Sequence, residues 1–104
     1  MNKMNCKLYE QNDKRRKYII YKNDPNLFNG YIVIEKYMHK NEMCWIIELM
    51  YITEQRKGYG TLLLDYVVND MKNITNKLVV CLVSEEGNNF FKKYGFDENW
   101  SFYI

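Results

Sequence analysis

Two glycines one residue apart, Gly58 and Gly60, separate an apolar run from a helical pattern. The run is Cys44 to Ile52 (CWIIELMYI), and the pattern is Tyr59, Leu62, Leu63, Tyr66, Val67 and Met71. Strand, glycine loop and helix start in that order bring together the parts of an anion site. Glycine lets the main chain approach a ligand closely, and the first-turn N–H groups of a helix have no partner within the helix. The helix dipole adds partial positive charge at the same end. Arg56 and Lys57 place full charges in the loop. Phosphate binding is the chemistry these residues support. A plain strand-to-helix turn uses the same glycines, so the spacing alone leaves both readings open. Two nucleotide motifs are excluded. The dinucleotide fingerprint needs a third glycine where Leu63 stands, and no Gly-Lys-Ser/Thr of a P-loop occurs.

The hexapeptide Gln55-Arg56-Lys57-Gly58-Tyr59-Gly60 resembles the acetyl-CoA pyrophosphate loop of the GNAT N-acetyltransferases, Q/R-x-x-G-x-G/A at the start of a helix. Thr53-Glu54-Gln55 followed by Gly58-Tyr59-Gly60 is particularly similar to the histone and lysine acetyltransferase branch. A second block, Phe91-Lys92-Lys93-Tyr94-Gly95-Phe96, resembles the FKKxGF segment of the same enzymes. The two blocks keep the family's order, with an apolar strand, Leu78 to Val83, between them; the resemblance covers roughly residues 43 to 97.

The resemblance implies an acetyl-CoA-dependent N-acetyltransferase that works by direct attack in a ternary complex. The acceptor it implies is a primary amine, above all a protein or peptide lysine. Gln55, Gly58, Tyr59, Gly60 and Thr61 would hold the pyrophosphate by main-chain N–H groups, with Arg56 and Lys57 on the cofactor phosphates. Met50, Tyr51 and Ile52 would line the cofactor from the strand, and Asn88, Asn89 and Phe91 from the second helix. Acyl transfer also needs a base for the ammonium. Glu48 is the only charged residue in Cys44 to Ile52, and a carboxylate in apolar surroundings beside a cleft has a raised pKa. The alternative is that Glu48 faces water on an uncovered sheet face. Counted back from the loop, the histone-type catalytic glutamate falls on Cys44, so Glu42 and His39 stand as reserves for Glu48. The family's tyrosine acid falls on Phe91, with Tyr94 displaced by a turn. No cysteine has a histidine neighbour that would make it a nucleophile. A binding module that keeps the cofactor loop without the chemistry is the second reading.

These residues need elements to position them. Residues 4 to 10, Tyr18 to Tyr21 and Gly30 to Met38 read as strands, and residues 39 to 42 close a hairpin onto Cys44 to Ile52. Lys14-Arg15-Arg16-Lys17 reads as solvated surface beside a turn. Leu78 to Val83, apolar without alternation, reads as a strand covered on both faces. Ser84 caps a second helix that runs to about Tyr94, Gly95 stops it, and Asn99 to Ile104 reads as a final strand. The fold class expected is a mixed α/β sheet of GNAT type, one domain over residues 1 to 104. Family members typically carry two helices between the first two strands, and there is no room for them between Tyr18 and Gly30. The acceptor side is therefore expected to be open, and a homodimer would cover the surface so exposed.

The net charge of +2 does not argue for nucleic acid, and no ligand set for a metal is assigned. No apolar run approaches the roughly 20 residues a membrane helix needs. The first residues carry no apolar core of a signal peptide. Three cysteines, Cys6, Cys44 and Cys81, are widely spaced and odd in number, and two of them fall in apolar strand-like runs, which fits small buried side chains in a reducing compartment; a cytoplasmic location is expected.

Overall fold

A computed structural model describes residues 3–39, 41–55, 57–81 and 84–104, with the His39 side chain left aside. The strands before the glycine loop are β1 (Asn5–Gln11), β2 (Arg15–Tyr21), β3 (Gly30–His39) and β4 (Glu42–Ile52). Then come α1 (Tyr59–Met71), β5 (Lys77–Val80), α2 (Glu85–Tyr94) and β6 (Ser101–Tyr103). They form a six-stranded sheet in the order β1-β2-β3-β4-β5-β6. Every neighbouring pair is antiparallel except β4 and β5. A parallel pair needs a crossover, and α1 supplies it. The expected mixed α/β sheet is what the chain forms.

Both helices pack on one sheet face. Alternation along the strands sends Tyr18, Ile20, Ile32, Ile34, Trp45, Ile47, Leu78 and Val80 to that face, where they meet Leu63, Leu64, Val67 and Met71 of α1 and Phe91 of α2. The α1 residues recur at helical spacing and form one buried stripe. The opposite face carries no helix among the described residues. On it Ile19, Val33 and Cys44 are still buried, and Lys17 reaches over the rings of Phe28 at 4.8 Å, Tyr31 at 5.0 Å and Tyr9 at 5.5 Å, roofing part of the sheet.

Three expectations are corrected. The basic cluster is not plain surface: Arg15, Arg16 and Lys17 belong to β2. Arg16 pairs with Asp70 at 3.1 Å, and Tyr18 donates to the same carboxylate at 2.5 Å, fastening β2 to α1. Long cationic stems cover apolar surface while their heads find partners, which short-range charge counting misses. In β5 burial alternates, with Leu78 and Val80 buried and Lys77 and Val79 half-buried, because helices cover one face only. Cys81, just past β5, is exposed, and Leu82 and Val83 of the expected strand lie outside the described residues. The last strand is shorter than expected. The Asp97 carboxylate accepts from the N–H groups of Asn99 at 2.8 Å and Ser101 at 3.0 Å, so a turn takes the place of its first residues. No helix among the described residues is long and apolar enough to cross a membrane.

Candidate active site

The parallel ladder between β4 and β5 is short. It pairs Trp45 with Leu78, Ile46 with Val79 and Ile47 with Val80, and then β5 ends while β4 continues to Ile52. At that point β4 also carries a bulge. Val33 faces Leu49 and Ile34 faces Ile47, so Glu48 is the extra residue with no partner on β3. A bulge bends its strand and sharpens the local twist, which turns β4 away from the line of β5. The two strands part, and a cleft of about 530 Å³ opens between them.

Three elements wall the cleft. From β4 come Ile47 to Met50 and Ile52, with Val80 opposite at the end of β5. The glycine loop and the first turn of α1 contribute Glu54, Gln55, Gly58, Tyr59, Gly60 and Thr61. The first turns of α2 contribute Ser84, Glu86, Gly87, Phe90, Phe91 and Lys93. Gly58, the residue before α1, stands at φ 78°, the left-handed region that only glycine enters freely. Apart from its two chain neighbours, no described residue lies within 4 Å of where its Cβ would be, so among the described residues the space at the helix start is open. Gly60 is a close approach instead. A Cβ there would stand 3.1 Å from Met50 Cε and 3.3 Å from the Phe90 ring.

The two helix starts that border the cleft differ. At α2, the Ser84 hydroxyl accepts from the Gly87 N–H at 3.1 Å, and Glu85 and Glu86 place negative charge in the first turn. That end is satisfied and repels anions. At α1 no side chain caps the first turn among the described residues, and no acidic residue lies in it. Its first-turn residues line the cleft, and first-turn N–H groups have no partner within the helix, so an anion in the cleft is drawn to α1. The loop is braced by the Gln55 amide, which donates to the Ile52 carbonyl at 2.9 Å, and by a Lys57–Glu54 ion pair at 3.1 Å. The hydrogen bond and charge of Glu54 raise the pKa of Lys57 and keep it cationic.

The sequence matches no family model and no curated protein. Among solved structures the chain superposes on a predicted acetyltransferase from Clostridium acetobutylicum with acetyl-CoA, with a TM-score of 0.67 and 26% identity over 83% of this chain and 60% of that one. It superposes on AtaTR bound with acetyl-CoA with a TM-score of 0.69 and 22% identity, over 86% of this chain and 66% of that one. The aminoglycoside N-acetyltransferase AAC(6')-Iy in complex with CoA gives 0.67 and 15%, over 86% and 64%. The fold is that of the GNAT acetyltransferases. The chain spans 60% to 66% of the length of these three GNAT-fold structures.

Within this GNAT fold, the residues expected at the site divide. The cleft gathers Glu48, Met50, Ile52, Gln55, Gly58, Tyr59, Gly60, Thr61 and Phe91. Tyr51 does not line it, because alternation sends its side chain to the helix-free face opposite Tyr31. Lys57 is turned to Glu54, and Arg56 lies outside the described residues. Asn88 and Asn89 fall on the part of α2 turned away from the cleft. Glu42 starts β4 six residues before Glu48, about 20 Å along the strand. Cys44 is buried on the helix-free face opposite Tyr37. The Tyr94 hydroxyl donates to Asp65 at 2.6 Å, and burial together with that carboxylate raises its pKa, so it ties α2 to α1.

Several lining residues were not among those expected at the site, notably Glu54 of the loop and Ser84, Glu86, Gly87, Phe90 and Lys93 of α2 and its cap. Helical spacing from Phe91 was the available signal, since Glu86, Gly87, Phe90, Phe91 and Lys93 share one arc of α2 whereas Asn88 and Asn89 do not. The Glu48 carboxyl is exposed and its pKa is raised, first by a hydrogen bond to Glu35, then by slight desolvation and the Glu35 charge, against a lowering by Arg15.

Proposed function

We propose that the chain is an acetyl-CoA-dependent N-acetyltransferase that acts on a primary amine, a protein or peptide lysine being the acceptor that suits it best. The observation that carries this reading is the uncapped start of α1, with Gly58 open above it, at the mouth of the cleft where β4 and β5 part. When bound, acetyl-CoA supplies a thioester whose carbonyl carbon takes the amine nitrogen and whose sulfur leaves. The main-chain N–H groups of Gly58 to Thr61 hold the pyrophosphate, and Phe90 and Phe91 give the pantetheine arm an apolar wall. Among the described residues the edge of β4 beyond Ile47 has no β5 partner, so its backbone groups can hydrogen-bond and orient the arm. Glu48, at the bulge, takes the ammonium proton directly or through one water. Phe91 offers no acid, so the leaving thiolate takes its proton from solvent.

The acceptor approaches from the helix-free face, where the Glu48 carboxyl reaches Glu35. No helix covers that face among the described residues, which favours a lysine on an extended chain over an enclosed small molecule. The second reading, an acyl-CoA-binding module without turnover, is favoured by Cys44 at the family's glutamate place and Phe91 at the tyrosine place.

The test pairs acetyl-CoA calorimetry with free-thiol release in the presence of lysine peptides. Binding with peptide-dependent thiol release is expected, and Glu48→Gln is expected to keep binding and lose about 100-fold or more in turnover. Binding with no release from any amine supports the module, and no binding removes both readings.

A further inference from the structure

Glu35 lies outside the cleft and outside every motif in the sequence, yet the bulge in β4 brings it to Glu48. On β3, Ile34 and Lys36 point to the helix face, Ile34 into the core and Lys36 over Trp45. Glu35 between them points to the helix-free face, opposite Ile46 of β4 and Arg15 of β2. Regular pairing would set Glu48 beside a β3 residue of its own. Because it is the inserted residue between Ile47 and Leu49, it has no cross-strand neighbour of its own and lies diagonal to Glu35, which pairs with Ile46 two residues before it; hydrogen bonding to Glu35 and the Glu35 charge raise the pKa of its carboxyl. Two carboxyl groups can hydrogen-bond only when one proton lies between them.

We propose that Glu35 is the positioning residue of the base: it aims the Glu48 carboxylate across the cleft and shares the proton that Glu48 takes from the acceptor ammonium. This rests on the acetyltransfer reading above. Before transfer both carboxylates are ionised and repel one another; one N–H bond of the ammonium breaks, and its proton comes to rest between the two oxygens. The freed nitrogen lone pair then attacks the thioester carbon and forms the C–N bond, the C–S bond breaks with its electron pair going to sulfur, and the second proton now lost by the nitrogen passes through water to the leaving thiolate. A like charge held close makes the first protonation of the pair easier than that of a lone carboxylate. Among the described residues the charged groups that reach Glu48 are Glu35 from β3 and, in opposition, Arg15 from β2, while α1 and α2 pack on the other face. Arg15 faces Glu35 across the strands and limits how far the repulsion goes.

The experiment is the pH dependence of kcat/KM for a lysine peptide in wild type, Glu35→Gln and Glu35→Asp, with acetyl-CoA affinity measured alongside. Glu35→Gln is expected to move the acid limb down by about one pH unit and to lower the plateau roughly tenfold. Acetyl-CoA affinity stays unchanged, and Glu35→Asp recovers part of the shift. An acid limb at the same pH in Glu35→Gln overturns the proposal, as does a loss of affinity that accounts for the whole effect. Carboxyl titration of Glu48 by NMR gives a reading that needs no turnover. If Glu48 titrates alike in wild type and Glu35→Gln, the pairing is wrong. If the pairing is seen but wild type transfers no acetyl to any amine, the acetyltransferase reading fails and the catalytic role of Glu35 falls with it.

Discussion

Gly58 and Gly60 look alike in the sequence and do different work. At Gly58 the backbone stands at φ 78°, so Gly58→Ala meets the left-handed penalty of about 1–2 kcal/mol. Its new methyl also enters the cleft that Gly58 lines. At Gly60 the backbone is helical, and Ala would gain up to about 1 kcal/mol of propensity there. The gain is offset by crowding against the flexible end of Met50 and the Phe90 ring. Thermal melts and CoA calorimetry on both variants should therefore separate them. Gly58→Ala is expected to lose several degrees and weaken binding, and Gly60→Ala to stay within about 1 kcal/mol of wild type. The spacing of the glycines was legible in the sequence. Which one is torsional and which is a close approach was not, since neither φ nor the position of Phe90, thirty residues on, is a local property. Glu48 has the same limit. It stood out as the lone charge in an apolar run, but its bulge is a relation to β3.

The two helices share a boundary with the cleft, and one hydrogen bond clasps them. Tyr94 of α2 donates to Asp65 of α1 at 2.6 Å, next to a smaller hollow lined by Thr61, Phe90 and Phe102. A clasp and a catalytic acid predict different outcomes for Tyr94→Phe. The clasp reading expects a loss of about 0.5–1 kcal/mol in a denaturant melt and an unmoved alkaline limb in the activity profile. A shifted alkaline limb would make Tyr94 the acid. The limits of α2 were readable, because its Ser84 cap and Gly95 stop act through neighbours in sequence: the Gly87 N–H at one end, the Phe91 and Lys92 carbonyls at the other. Its cleft-facing arc was misjudged by selecting Asn88 and Asn89 for their chemistry. Angle around the helix, not hydrogen-bonding capacity, decides which side chains reach a cleft.

In the whole molecule, both helices on one face bury groups whose ionisation the folded state resists. Burial raises the Cys6 thiol from 9.0 to about 11, with its sulfur 4.0 Å from the Leu62 carbonyl of α1. Burial and the Asp70 carboxylate likewise raise Tyr18, which is fully enclosed. For such groups the folded state holds its protons longer than the unfolded chain. The stability they confer is complete below the unfolded pKa and is lost as pH rises through the folded value. Melting temperature is therefore expected to start falling near pH 9, with the Cys6 contribution lost by about pH 11. Cys6→Ala should flatten the first part of that decline and leave a later fall from Tyr18. An identical profile in Cys6→Ala would show that the thiol is not held as the structure places it.

Local chemistry along the chain was enough to determine the glycine loop, the helix it opens, the cap and stop of α2, and a mixed α/β order with strands before the loop. Each depends on residues a few positions apart, whose spacing and backbone preferences act wherever the chain goes. Tertiary structure alone decided where β4 and β5 part, which side of the sheet Glu48 serves, and that Glu35 is its neighbour. It also decided that Arg16 and Lys17 are structural and not solvated. Those outcomes rest on register: one inserted residue in β4 changes which side chains meet across the sheet, and period-two alternation by itself carries no record of that insertion.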